Sequence, residues 1–197
     1  MNPSDILKSE HRVIEQVLAC LEKMSEECQQ QGRLDRDPAR EAVDFFRNFA
    51  DGCHHGKEEE HYFPAMEAAG FPRQGGPTGV MIHEHEVGRR HIREMDATID
   101  AAAEGRAEAV DRFVSHARDY VALLREHIAK EDHCLFTMAD QALSADEQAA
   151  LLSAFDRVET HEMGEGTHQR YLDLANELAG RYGVAAVEAH GGCCGHH

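Results

Sequence analysis

The sequence has no tryptophan, only five prolines in 197 residues, and aromatics at 6%. β-Branched residues are also sparse, whereas Ala, Glu, Leu and Arg are plentiful, a balance that leaves little material for strands and favours an all-α fold. Cations are few: 20 Lys and Arg stand against 37 Asp and Glu, for a net charge of -17. That balance excludes nucleic acid and anionic membrane surfaces as expected partners. There is no apolar run of transmembrane length and no N-terminal apolar stretch of the kind that opens a secretory signal. The six cysteines, at 20, 28, 53, 134, 193 and 194, form no framework of spaced pairs. The expectation is a cytoplasmic protein with reduced thiols, long enough to bury a core without staples.

Histidine, by contrast, is abundant, at 15 residues. Two segments repeat one pattern: His54-x-x-Lys57-Glu58-Glu59-x-x-Tyr62-Phe63 and His127-x-x-Lys130-Glu131-Asp132-x-x-Leu135-Phe136. On a helix, residues four apart share a face, so each copy projects an imidazole and a carboxylate toward one point. Two such helices face to face supply two His and two Glu to one cavity, a ligand set for a pair of metal ions. His55-x-x-x-Glu59 is an alternative register in the first copy. Aligning Phe63 with Phe136 favours His54 and Glu58, which leaves His55 and Glu59 off the inward line.

Apolar residues at three-or-four spacing outline the rest. A first helix opens at Asn2-Pro3, carries His11 in its apolar stripe, and ends near Gln31 with Gly32 after it. A second opens at Asp37-Pro38 and leads through Val43, Phe46 and Phe49 into His54 and Glu58, with Gly52 and Gly56 on either side as a sign of close approach or of a lax surface. A third, Thr78 to Ala103, has Met81, His85, Gly88 and Ile92 on its inner line. A fourth, from Ala107, runs through Phe113, Tyr120 and Leu124 into His127 and Glu131. Short connections make an up-down-up-down four-helix bundle the simplest arrangement. The expected divisions are a bundle over 1–141, a C-terminal helical extension over 142–184 opened by a capping box at Ser144 and Glu147, and a Gly-, Cys- and His-rich tail over 185–197.

Four histidines in register with two buried carboxylates need a cation, because two facing carboxylates do not both ionise in an apolar interior without one. Imidazole plus carboxylate without thiolate suits iron, with manganese as the alternative, over structural zinc. Cys53 and Cys134 miss the inward line and read as packing residues. The tail, with Cys193, Cys194, His190, His196 and His197, is a second candidate for soft-metal or redox chemistry.

The pattern closely resembles the hemerythrin-like, or HHE cation-binding, family. The resemblance is carried by Glu10-His11-Arg12, His54-x-x-x-Glu58-Glu59 with Tyr62-Phe63-Pro64, Glu84-His85-Glu86, and His127-x-x-x-Glu131 with Leu135-Phe136. It implies a non-haem di-iron centre held by His11, His54, Glu58, His85, His127 and Glu131, with both glutamates bridging. Oxygen-carrying members place a second His four residues after the one on the third helix, where this chain has Arg89. The implied arrangement is therefore two His per iron, more like the iron-centre repair proteins of nitrosative stress, and against reversible oxygen carriage. The expected role is binding or reaction with O2, NO or peroxide in sensing, detoxification or iron-centre repair. Iron storage or donation without turnover, and a structural metal site in an interaction protein, are the alternatives.

Overall fold

The computed structural model describes residues 1–162, 164 and 166–187. The cysteine- and histidine-bearing end of the tail lies outside them. Among the described residues there is no strand. The α-helices are α1 (Pro3–Gln31), α2 (Arg36–Phe45), α3 (Phe63–Ala68), α4 (Pro77–Ala103), α5 (Ala107–Lys130), α6 (Phe136–Ala142), α7 (Ala145–Arg157) and α8 (Thr167–Tyr182). π-Helical segments join them: Phe46–His55 and Glu58–Tyr62 carry α2 into α3, Glu131–Leu135 carries α5 into α6, and Val158–Glu162 follows α7.

The helix ends follow from local chemistry. Pro3 sits in the first turn of α1, where its missing N–H costs nothing, and the Asn2 N–H donates to Asp5 Oδ2 at 2.7 Å. Gly32, at φ 69°, closes α1 in the left-handed conformation that only glycine adopts without strain. The capping box at α7 is present, with the Ser144 N–H donating to Glu147 Oε2 at 2.8 Å and the Glu147 N–H to Ser144 Oγ at 3.4 Å.

α1 packs on α2 and α5, and α4 packs on α2 and α5, so each of these four helices has two neighbours among the other three. α8 lies against α1 and α2, and α7 against α1 and the π-helical Glu58–Tyr62. Two apolar clusters result. One gathers Ile14, Leu18, Phe46, Phe49, Ile92, Tyr120 and Leu124, and extends to Tyr171 and Leu178 of α8. The other gathers Leu7, Tyr62, Phe63, Met81, Leu135, Phe136 and Phe155. On α1, His11 falls between Leu7 and Ile14; on α4, His85 falls between Met81 and Ile92. His54 and His127 fall likewise between the clusters, so the four histidines form a polar layer clamped between two packed apolar ones. Each buried Leu or Phe on either side contributes about 1.5–3 kcal/mol to holding that clamp.

The sequence reads the second helix as regular through His54 and Glu58. The structure is π-helical on both sides of Gly56, and this changes which side chains point inward. Neither flanking glycine is required by close approach: a Cβ would stand 3.5 Å from the Arg47 carbonyl oxygen at Gly52 and 3.9 Å from that of Asp51 at Gly56, ordinary contacts.

Candidate metal centre

His11, His54, Glu58, His85, His127 and Glu131 converge on one buried space, each at most 1% exposed. Glu58 sits in the middle, with Oε1 3.6 Å from His54 Nε2 and Oε2 3.5 Å from His85 Nε2. Glu131 Oε2 stands 3.2 Å from His11 Nε2 and 3.3 Å from His127 Nε2. Two sets of donor atoms fall within 4.8 Å of one another and could each hold an ion: His11, His54, Glu58 and Glu131, and His55, His85, His127 and Glu58.

Every imidazole is aimed the same way. Its Nδ1 lies on a carboxylate: His11 on Asp132 at 2.8 Å, His54 on Glu10 at 2.9 Å, His85 on Glu59 at 2.6 Å, His127 on Glu84 at 2.9 Å and His55 on Asp51 at 3.3 Å. Those carboxylates fix Nδ1 as the donor and leave Nε2 as the free lone pair, the arrangement that orients metal-binding histidines. The carboxylates are in turn held by cations. Lys57 pairs with Glu10, Lys130 with Glu84 and Arg12 with Asp132, while Arg89 donates to both Asp51 and Glu59 at 2.8 Å. The repeated Lys-Glu-acid run thus has one meaning in both copies. The lysine grips the carboxylate behind its own histidine, the glutamate faces the cavity, and the next acid supports a histidine on a neighbouring helix.

The residues fit a metal on their own evidence. Among the described residues, His11 Nε2, His54 Nε2 and all four oxygens of Glu58 and Glu131 are buried with no hydrogen-bond partner. His85 Nε2 and His127 Nε2 face each other at 3.1 Å. With both Nδ1 atoms turned outward, a proton on raised His127 bridges this gap in the absence of metal, and a cation can take that proton's place. Leaving so many buried polar atoms unpaired costs about 1–3 kcal/mol each.

The electrostatics say the same. Burial, reinforced by Glu131, raises Glu58 well above the usual carboxylate range. Glu131, equally buried, is held well below that range by His127 and His11. Burial pushes His54 down to about 3 and His85 well below the usual imidazole range. Against its burial, His127 is raised to about 9 by Glu131 and Glu84. Neighbouring groups pushed in opposite directions are what two facing carboxylates produce when no metal balances them.

His55 corrects the sequence reading. The i+4 register leaves it off the inward line, yet it is 4% exposed, and its ring stacks on that of His85 at 3.7 Å, 13° from parallel. The wider turn of the π-helix brings two successive residues, His54 and His55, to the cavity. The second copy is α-helical at the matching point and has Ile128 there. The donor groups gather three imidazoles on one side, His55, His85 and His127, and two on the other, His11 and His54. The fifth imidazole comes from His55, and Arg89, though not a donor to the site, anchors the carboxylates behind His55 and His85. We expect His55→Ala to cost about one metal ion per chain, and His61→Ala, which touches none of these groups, to cost none; elemental analysis of both variants checks this. Equal loading of the His55 variant and the wild type would restore the symmetric ligand set.

His91 lies outside the site, with Nδ1 3.1 Å from His116 Nδ1. Cys53 is buried, its thiol pushed up to about 12 chiefly by burial, whereas Cys134, expected to pack, is exposed. Glu10, Cys53 and His168 also cluster closely enough to hold an ion. The Lys57 ammonium, however, already bonds to Glu10 and Glu159 there, and a cation would have to displace it.

The model of the Hemerythrin HHE cation binding domain matches residues 2–139. Among curated proteins, Uncharacterized protein Rv1995 of Mycobacterium tuberculosis and Uncharacterized protein Mb2018 of Mycobacterium bovis are each 25% identical over 182 residues, covering 92% of this chain and 70% of the relative. No solved structure matches. The matched segment contains all seven converging residues, and the chain belongs to the hemerythrin HHE cation-binding family.

Proposed function

We propose that this protein holds a pair of iron ions in an up-down-up-down four-helix bundle and binds a small ligand, O2, NO or peroxide, beside them. The observation that carries this reading is the gathering of five imidazoles and two carboxylates into two adjoining buried donor groups, with the oxygens of both carboxylates partnerless among the described residues. His11, His54, Glu58 and Glu131 would hold one ion, and His55, His85, His127 and Glu58 the other, with Glu58 common to both groups. A bound iron pair would supply a change of oxidation state and open coordination positions. The chain's own residues hold the imidazoles in one tautomer and exclude bulk water with the two apolar clusters.

A cavity of about 220 Å³ leads to His55 and His85, lined also by Phe46, Gly88, Ile92 and Tyr120, with Arg47, Arg89 and Arg93 around it. It is large enough for a diatomic molecule or peroxide. A Cβ at Gly88 would stand 3.4 Å from Tyr120 Cε2, so a branched side chain there fills the passage. Titration of the iron-loaded protein with NO, O2 and peroxide, followed by optical and Mössbauer spectra, tests the function; iron well below one per chain, or spectra indifferent to all three ligands, refutes it. We further expect Gly88→Val to slow NO association at least about tenfold, equivalent to about 1.4 kcal/mol in the barrier, with iron content unchanged. Unaltered stopped-flow rates would place the entrance elsewhere.

A further inference from the structure

The pseudo-symmetry of the two His-x-x-Lys-Glu copies is broken outside the centre as well as inside it. Among the described residues Lys130 pairs with Glu84 alone and is 43% exposed, whereas Lys57 is 0% exposed and grips two carboxylates, Glu10 and Glu159. Glu159 belongs to the π-helical turn after α7, beyond the residues 2–139 that match the family model. The second carboxylate is thus brought by the C-terminal extension, and it closes one half of the site.

The consequence runs along a continuous chain of contacts. Glu10 gives one oxygen to Lys57 and the other to His54 Nδ1, at 2.9 Å. When Glu159 shares the ammonium, Glu10 keeps more of its negative charge for His54. A stronger acceptor at Nδ1 makes Nε2 a stronger donor to metal. Without Glu159 the same ammonium, buried beside a single carboxylate, draws Glu10 toward itself, and one of its hydrogens loses its partner. The matching chain to His127, through Lys130 and Glu84, ends at solvent instead, where water screens and hydrates the ammonium.

Resting on the two-ion reading above, we infer that Glu159 is a positioning residue for one ion of the pair: through Lys57 and Glu10 it sets His54, so the C-terminal extension tightens the ion on the His11–His54 side and leaves the ion on the His55–His85–His127 side untouched. The extension is therefore part of the centre's control, and anything that displaces the turn at Glu159 makes the two ions unequal in lability.

The test uses the full-length, iron-loaded protein, with release to an excess of chelator followed in time and Mössbauer spectra recorded. In Glu159→Gln, one of two release phases should accelerate about tenfold, the lower end of what the loss of an outer hydrogen-bond partner costs in metal affinity. One of two iron subspectra should shift while the other stays. Glu159→Asp, which keeps the charge, should restore most of the wild-type behaviour. Tyr171→Phe is the control: it removes the bond from α8 to Asp44, 3.1 Å long, without touching Lys57, and should leave both phases unchanged. Acceleration of both phases or neither in Glu159→Gln, or the same acceleration in Tyr171→Phe, overturns the inference. Fewer than two ions on the wild-type chain overturns the di-iron reading instead, so the two failures are told apart.

Discussion

Glu58→Gln is expected to strip the centre of most of its metal while leaving the metal-free protein at least as stable as the wild type. The metal loss follows from position. The two oxygens of Glu58 face different donor sets, one toward His54 and the other toward His85, so one substitution weakens both ions. Removing an anionic ligand from each should lower loading from about two ions per chain to below one, as measured by elemental analysis. The stability result follows from charge. The folded-state pKa of Glu58 is raised, so its contribution to stability is fully present below the unfolded value and is lost as pH rises through the folded one. Glutamine never ionises and removes that loss. Metal-free Glu58→Gln should therefore melt no lower than metal-free wild type at about pH 7.5. Glu131→Gln differs, because Glu131 is held ionised by His127 and His11, and its loss leaves those imidazoles without their partner. The metal-free Glu131 variant should melt below the wild type. Near-normal iron in Glu58→Gln, or the reverse order of melting temperatures, would mean that the roles of the two carboxylates are exchanged.

The second large effect is that of metal on stability. A ligand that binds only the folded chain stabilises it by about 4 kcal/mol when present at about a thousand times its dissociation constant. For a chain of this length that corresponds to a rise in melting temperature of roughly 8–16 °C. The rise should grow with pH between about 5 and 9. Metal needs ionised Glu58 and neutral His127, and without metal the first is pushed well above the usual carboxylate range, chiefly by burial, and the second is raised to about 9. Binding at about pH 7.5 should accordingly expel protons, that of His127 among them, visible as a buffer dependence of the binding heat. His54 adds to the loss of the metal-free fold in acid. Its folded pKa is depressed to about 3, so its contribution is present above the unfolded value near 6.5 and is lost as pH falls toward the folded one. Equal melting temperatures with and without metal at the higher pH would remove the ions from the core.

Much of the centre is legible in the amino-acid order, because its main pattern is local. His54 with Glu58 and His127 with Glu131 are spaced one helical turn apart, and a repeat at that spacing declares a shared face. The ends of α1 and α7 are equally local, resting on Pro3, Gly32 and the Ser144–Glu147 box. His11 and His85 show themselves by standing in apolar stripes. Tertiary structure alone decided the rest. No residue type marks a π-turn, whose wider hydrogen-bonded ring comes from the packing around Phe46–His55, so the inward turn of His55 was hidden and with it the three-to-two division of imidazoles. The carboxylate behind His11 lies 121 residues away, the one behind His54 lies 44 away, and the second anchor of Lys57 lies 102 away. Pairings of that separation exist only once helices are packed, because a periodicity shows which face is buried but not which neighbour's charge it will meet.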